Sequence, residues 1–176
     1  MRVFVAAWLD DSTRKQLERL ELGSVPGIRL VEPRQWHITL RFLGNVGDDL
    51  VPPLTDALVD AARSVSGPVH CTVGPGTAWF ANQRVLQIPV TGLDEVAEAV
   101  RSATIPIVPT GGIGEPAFTG HLTIARTSGG HLNRSSRSAL AGIPFSATID
   151  IESFDLVASE ASGGGRRYRT LAQVRF

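Results

Sequence analysis

The chain has 176 residues, 43% of them hydrophobic, which is enough to bury a core and favours a single domain spanning 1–176 over two. Seventeen Lys and Arg balance seventeen Asp and Glu, so there is no protein-wide cationic field of the kind that holds nucleic acid without sequence preference. The lone cysteine, Cys71, excludes an internal disulfide and a thiolate zinc site and predicts a reducing, cytoplasmic compartment, while the opening apolar run is too short for a signal peptide or a membrane span.

Residues 3–8 read as an apolar strand, and Asp10-Asp11-Ser12 caps a helix carrying Leu17, Leu20 and Leu22. A short strand at 28–31 is broken by Pro33, and residues 36–43 alternate until Gly44-Asn45 ends the run. Asp48-Asp49, with Pro52 in the first turn and core positions at Leu54, Leu58 and Ala61 or Ala62, predicts a second helix. Strands follow at 69–73 and 84–90, joined around Gly74-Pro75-Gly76, then a helix at 92–102. Residues 103–117, rich in proline and glycine, predict a long loop of the kind that covers a site. A strand at 118–126, a helix at 132–140, one long strand at 145–157, a glycine turn at 162–165 and a closing strand at 168–176 complete the chain. This order lacks steady βαβ alternation and predicts an α+β fold with mainly antiparallel pairing.

One internal repeat stands out: His37-Ile38-Thr39-Leu40 against His121-Leu122-Thr123-Ile124, eighty-four positions apart. Two of the four histidines sharing this context by chance is roughly a one-in-a-thousand event. In a strand, residues i and i+2 share a face, so each motif sets an imidazole beside a hydroxyl while the apolar residue between them turns to the core. Two such strands facing each other across a cleft supply two groups that titrate near neutrality and two hydroxyl donors, an inventory suited to phosphoryl transfer by a general base and a general acid. Under ideal alternation Arg41 shares the face of His37 and Thr39, making it a candidate phosphate contact, whereas Arg126 lies on the opposite face and joins the site only if its strand bends or bulges.

Trp36-His37-Ile38-Thr39-Leu40-Arg41-Phe42-Leu43-Gly44 and His121-Leu122-Thr123-Ile124-Ala125-Arg126 closely resemble the two signature strands of the RNA 2',3'-cyclic phosphodiesterases, historically called 2'-5' RNA ligases, of the two-histidine (2H) phosphoesterase superfamily. Gly120 departs from the proline that family commonly carries there, a change expected to loosen the local backbone. The resemblance implies a bilobal, pseudo-twofold α+β fold with antiparallel sheets lining a central cleft, helices outside, and neither metal nor cofactor. It implies as substrates RNA or oligonucleotide ends with a 2',3'-cyclic phosphate, or nucleoside 2',3'-cyclic phosphates, opened to 2'-phosphomonoesters, with reversible 2'-5' RNA ligation as an accompanying activity. His37 is then the proton donor and His121 the proton acceptor; Thr39, Thr123 and Arg126 bind phosphate oxygens, and Phe42 seats a base. The same motifs leave open another 2H activity, on cyclic nucleotides or ADP-ribose cyclic phosphate, or a noncatalytic nucleotide- or RNA-binding module.

The other features read as structural. His70 and His131 lack the motif, and Trp8, Trp36 and Trp79 fit a core better than base-stacking platforms. Gly111-Gly112-Ile113-Gly114 has no strand leading into it and is not a dinucleotide fingerprint. Arg166, Arg167 and Arg169 fit a solvated hairpin tip or a local basic patch meeting RNA phosphates. With no long apolar heptad, the chain is expected to be a monomer.

Overall fold

A computed structural model describes residues 1–23, 25–109, 116–128, 132–163 and 165–176. His131, the Gly111–Gly114 segment, the middle of the predicted 103–117 loop and part of the predicted 162–165 turn lie outside the described residues.

The apolar opening run forms β1 (Arg2–Trp8), and Asp10 caps α1 (Asp11–Glu18) by accepting from the Thr13 amide, so Leu20 and Leu22 fall beyond the helix end. Next come β2 (Ile28–Leu30) and β3 (His37–Asn45), separated by a 3-10 turn at Pro33–Gln35. Asp48 and Asp49 form a second 3-10 turn rather than a cap, and α2 (Val51–Arg63) starts behind them with prolines in its first turn. β4 (Val69–Val73), a two-residue β5 (Ala78–Trp79) and β6 (Val85–Thr91) follow. Gly92 turns the chain with φ +97°, and a Cβ there would meet the His70 carbonyl at 2.6 Å, so α3 (Asp94–Thr104) begins two residues later than expected. β7 (His121–Thr127) and α4 (Arg134–Leu140) come next, and the stretch read as one strand at 145–157 is two, β8 (Ala147–Ile151) and β9 (Ser153–Ser162), before β10 (Gly165–Arg175).

The strands line up as β10-β9-β1-β3-β7-β6-β4-β8, with β2 on β7 and β5 on β6, and the named pairs are all antiparallel. β3 and β7 meet in the middle, flanked by β1 and β6 in matching positions, so the sheet has two halves of like build. One face buries Val3, Val5, Ile38, Leu40, Leu122, Ile124 and Ile88 in a core shared by both halves. α2 and α3 pack on each other, with α2 against β10 and α3 against β3. Their amphipathic pattern supplies Leu54, Leu58, Val96 and Val100 to that core. Helices thus close one face of the curled sheet and leave the other to a cleft. No helix among the described residues is long and apolar enough to cross a membrane.

Candidate active site

The motif strands are neighbours in one sheet rather than walls facing across a gap: β3 and β7 pair through Ile38 and Leu122, both fully buried. Carrying that antiparallel register one step either way sets His37 opposite Thr123 and Thr39 opposite His121. Because alternate residues share a face, all four polar side chains emerge on the cleft side of the β3–β7 seam while Ile38 and Leu122 anchor the seam from behind. The cleft, about 1140 Å³, is lined by all four of these groups together with Phe42 and Arg126.

Both strands then break their alternation at the same place. In β3 the partner of Val5 is Arg41 and the partner of Ala6 is Thr39, so Leu40 is the extra residue of a β-bulge. In β7 the partner of Leu86 is Ala125 and the partner of Gln87 is Thr123, so Ile124 is the extra residue. The bulges shift the face by one, and two predictions follow different courses. Arg126 swings onto the face of His121 and Thr123, the condition set for its joining the site. Arg41, expected to contact phosphate, is corrected: it is 4% exposed on the helix side, donating to Thr104 Oγ1 at 2.6 Å and to the Val108 carbonyl at 2.8 Å, where it ties β3 to the end of α3. Phe42, 45% exposed, takes the place in β3 that Arg126 takes in β7.

Each imidazole is held in the same way. His37 Nδ1 lies 2.6 Å from the Gln35 carbonyl and His121 Nδ1 lies 2.8 Å from the Thr119 carbonyl. A carbonyl only accepts, so Nδ1 carries the hydrogen and Nε2 of the neutral ring presents a lone pair. Burial is the main cause pushing the His37 pKa down; the Gln35 carbonyl offsets part of this, His121 and Arg126 add repulsion, and the result falls from 6.5 to about 4. His121 is lowered mainly by burial, with the Thr119 carbonyl opposing and Arg126 assisting. Burial therefore keeps both rings neutral at pH 7, with Arg126 acting on both.

Aromatic rings fix the remaining freedom. Phe4, Trp8 and Tyr168 surround His37 with ring centroids at 4.9, 5.5 and 5.3 Å, and Phe80 stands edge-on to His121 at 4.7 Å. Trp36 is buried, and Trp79 and Trp8 each pack on a minor apolar cluster, as a core role predicts, with Trp8 also lying against His37. Its indole donates to buried Asp155, which also accepts from Thr170. Gly120 is not loose: its carbonyl accepts from Val90 N–H at 2.9 Å, and a Cβ would meet the Val90 carbonyl at 2.3 Å. Close backbone packing fixes the approach to His121.

Residue-by-residue reading missed Phe4, Phe80, Gln35, Asp155 and Arg29. Only Phe4 left a signal, as an aromatic two turns of alternation before Trp8 on the same strand face. Gln35 stands two residues before His37 and acts through its backbone carbonyl, which no side-chain pattern marks, and the others arrive from strands and turns distant in sequence. Arg166 and Arg167 line the cleft, while Arg169 pairs with Glu160 at 3.3 Å. His70 is exposed and pairs with Asp150 outside the cleft. Among the described residues no three His, Cys, Asp or Glu side chains gather as a metal set.

Residues 9–72, which include His37 and Thr39 and end before the second motif, match the family model described as LigT like Phosphoesterase. A protein of Archaeoglobus fulgidus named RNA 2',3'-cyclic phosphodiesterase is 31% identical over 131 residues, 72% of this chain and 72% of that protein. One of the same name from Methanothermobacter thermautotrophicus is 28% identical over 148 residues, 81% of this chain and 79% of its own length. A crystal structure of a Thermus thermophilus protein superposes with a TM-score of 0.85 at 26% identity, covering 99% of this chain and 97% of the other.

Proposed function

The chain belongs to the LigT-like phosphoesterases of the 2H superfamily, and from that membership we propose that it hydrolyses 2',3'-cyclic phosphates at RNA or nucleotide ends to 2'-phosphomonoesters without a metal. The observation that carries the reading is the set of four groups at the β3–β7 seam: two imidazoles whose Nε2 has no hydrogen bond among the described residues, each opposite a threonine hydroxyl, beside one guanidinium. The relatives named RNA 2',3'-cyclic phosphodiesterases supply the substrate class.

In this mechanism the cyclic phosphate sits on the seam with its nonbridging oxygens on Thr39, Thr123 and Arg126, whose donors hold the charge that builds at phosphorus. His121 Nε2 takes a proton from a water attacking in line, the P–O3' bond breaks, and His37 Nε2–H protonates the departing O3', leaving the phosphate on O2'. A 5'-hydroxyl in place of water gives a 2'-5' linkage by the same proton transfers. Since burial and Arg126 disfavour an imidazolium at His37, its proton must be recruited with the substrate, whose anionic charge offsets Arg126 and lifts both histidine pKa values. Phe42 offers a half-exposed ring to the terminal base. The chain acts as a cytoplasmic monomer on this reading.

The test is hydrolysis of a nucleoside 2',3'-cyclic phosphate in chelator, with the product isomer read by phosphorus NMR for wild type, His37→Ala and His121→Ala. A 2'-phosphate formed by wild type and abolished in both variants is expected. No turnover by folded wild type, or turnover only after a divalent ion is added, refutes the proposal.

A further inference from the structure

The sequence balances its charges, but the cleft does not. Six arginines line it, Arg2, Arg29, Arg34, Arg126, Arg166 and Arg167, against one acid, Glu32, and that acid is paired with Arg34 at 2.6 Å. Two juxtapositions show cations held without anions. In the β2–β7 pairing Arg29 stands directly opposite Arg126, and like charges placed so are destabilising unless something negative comes between them. In the β9–β10 hairpin the register partner of Arg167 is Glu160, but Glu160 is paired with Arg169 instead. Among the described residues none of Arg29, Arg126, Arg166 and Arg167 has a carboxylate at ion-pair distance.

These arginines are not all needed by one cyclic phosphate. Arg126 acts on both catalytic imidazoles, so the reacting group claims it. Arg29 lies one strand out on β2, and Arg166 and Arg167 lie on the hairpin. The 3-10 turn that follows β2 is tied to the hairpin, since the Gln35 side-chain amide donates to the Arg166 carbonyl, and within the hairpin the Arg166 guanidinium donates to Ser159 Oγ at 3.0 Å. The cleft, at about 1140 Å³, slightly exceeds the roughly 300–1,000 Å³ typical of a small-ligand pocket. A 2',3'-cyclic phosphate occupies the 3' end of its chain, so whatever else enters extends in the 5' direction and brings another phosphodiester.

We propose a second phosphate subsite formed by Arg29, Arg166 and Arg167, which holds the phosphodiester 5' of the reacting nucleotide and makes a single-stranded oligoribonucleotide, rather than a mononucleotide, the preferred substrate. The subsite rests on the cyclic-phosphate reading for its direction along the chain. Each guanidinium that neutralises a phosphate releases the counterion held there, and the affinity so gained falls with salt.

The experiment pairs turnover with binding. kcat/KM is measured for a nucleoside 2',3'-cyclic phosphate and for a trinucleotide with the same cyclic end, and Kd for the corresponding 2'-phosphate products, at two salt concentrations, for wild type, Arg167→Ala and Arg29→Gln. The expected result is a trinucleotide preference of about tenfold or more at low salt, shrinking as salt rises. Arg167→Ala is expected to cut that preference severalfold, lower the slope of log affinity on log salt by about 0.7 for the trinucleotide, and leave the mononucleotide unchanged. Equal constants and equal salt slopes for the two lengths overturn the subsite, as does an equal loss on both in the variants. A trinucleotide preference in Kd without any turnover supports the subsite while removing the hydrolytic reading; turnover without length preference does the reverse.

Discussion

Replacing His37 by phenylalanine removes a titrating group but keeps a flat ring among Phe4, Trp8 and Tyr168. Above pH 6.5 His37 is neutral folded and unfolded, and the variant loses only the bond to the Gln35 carbonyl, about 1 kcal/mol. Between 6.5 and about 4 the unfolded chain takes up a proton that the folded protein refuses, so wild-type stability falls as pH drops through this window. Below about 4 both states bind it and the loss is complete. At 1.36 kcal/mol per pH unit the full loss is about 3 kcal/mol, of which most has been spent by pH 4.5. His121 titrates in both proteins and largely cancels. Urea unfolding of the two proteins at pH 7, 5.5 and 4.5, followed by tryptophan fluorescence, should show the wild-type advantage at neutral pH vanish and reverse in acid. A difference that stays constant, or that grows toward acid, refutes the view that burial holds His37 neutral.

The acid and base roles separate on leaving-group strength: an aryl phosphodiester whose leaving group needs no proton should restore turnover to His37→Ala and not to His121→Ala, and the opposite rescue reverses the assignment. Both limbs of the kcat/KM profile should lie below pH 6.5, because both free-enzyme histidines are lowered, while the kcat profile moves to higher pH as bound anion raises them; coincident profiles count against recruitment of the proton with substrate. Arg41→Ala should cost about 3 kcal/mol in unfolding free energy, because it strips the end of α3 of buried donors, whereas Arg126→Ala should leave the melting temperature nearly unchanged and lower kcat at least about tenfold. Gly120→Ala should shift the start of β7 off β6 and lower kcat by about tenfold or more in a folded protein, since the added methyl must displace the Val90 carbonyl; wild-type kinetics in that variant refute the close packing inferred there.

The His-x-Thr pairs were legible in sequence because strand alternation is local: one residue between two others is enough to set them on a common face. The same rule misplaced Arg41, since the bulge at Leu40 depends on how β1 pairs and nothing in the residues 37–42 marks it. Arg126 escaped that error only because its own bulge had been named as a condition. The strand read at 145–157 hid a break at Glu152, where side-chain pattern continues although the two halves join different partners. Phe80, Asp155 and Tyr168 were out of reach for a simpler reason: their proximity to the histidines, or to Trp8, is created by tertiary pairing.

That break has a consequence for how the protein is made. β8 ends one side of the sheet path and β9, a single residue later, is inserted beside β1 on the other, so the first strand synthesised must wait for nearly the last before its open edge is covered. On the ribosome the nascent chain would carry β1 with an unpaired rim until some 160 residues have emerged, and His37 without its Tyr168 wall until nearly 170 have. A chain cut before β9 is therefore expected to expose that rim to other strands, and neither half of the sheet is closed without the other.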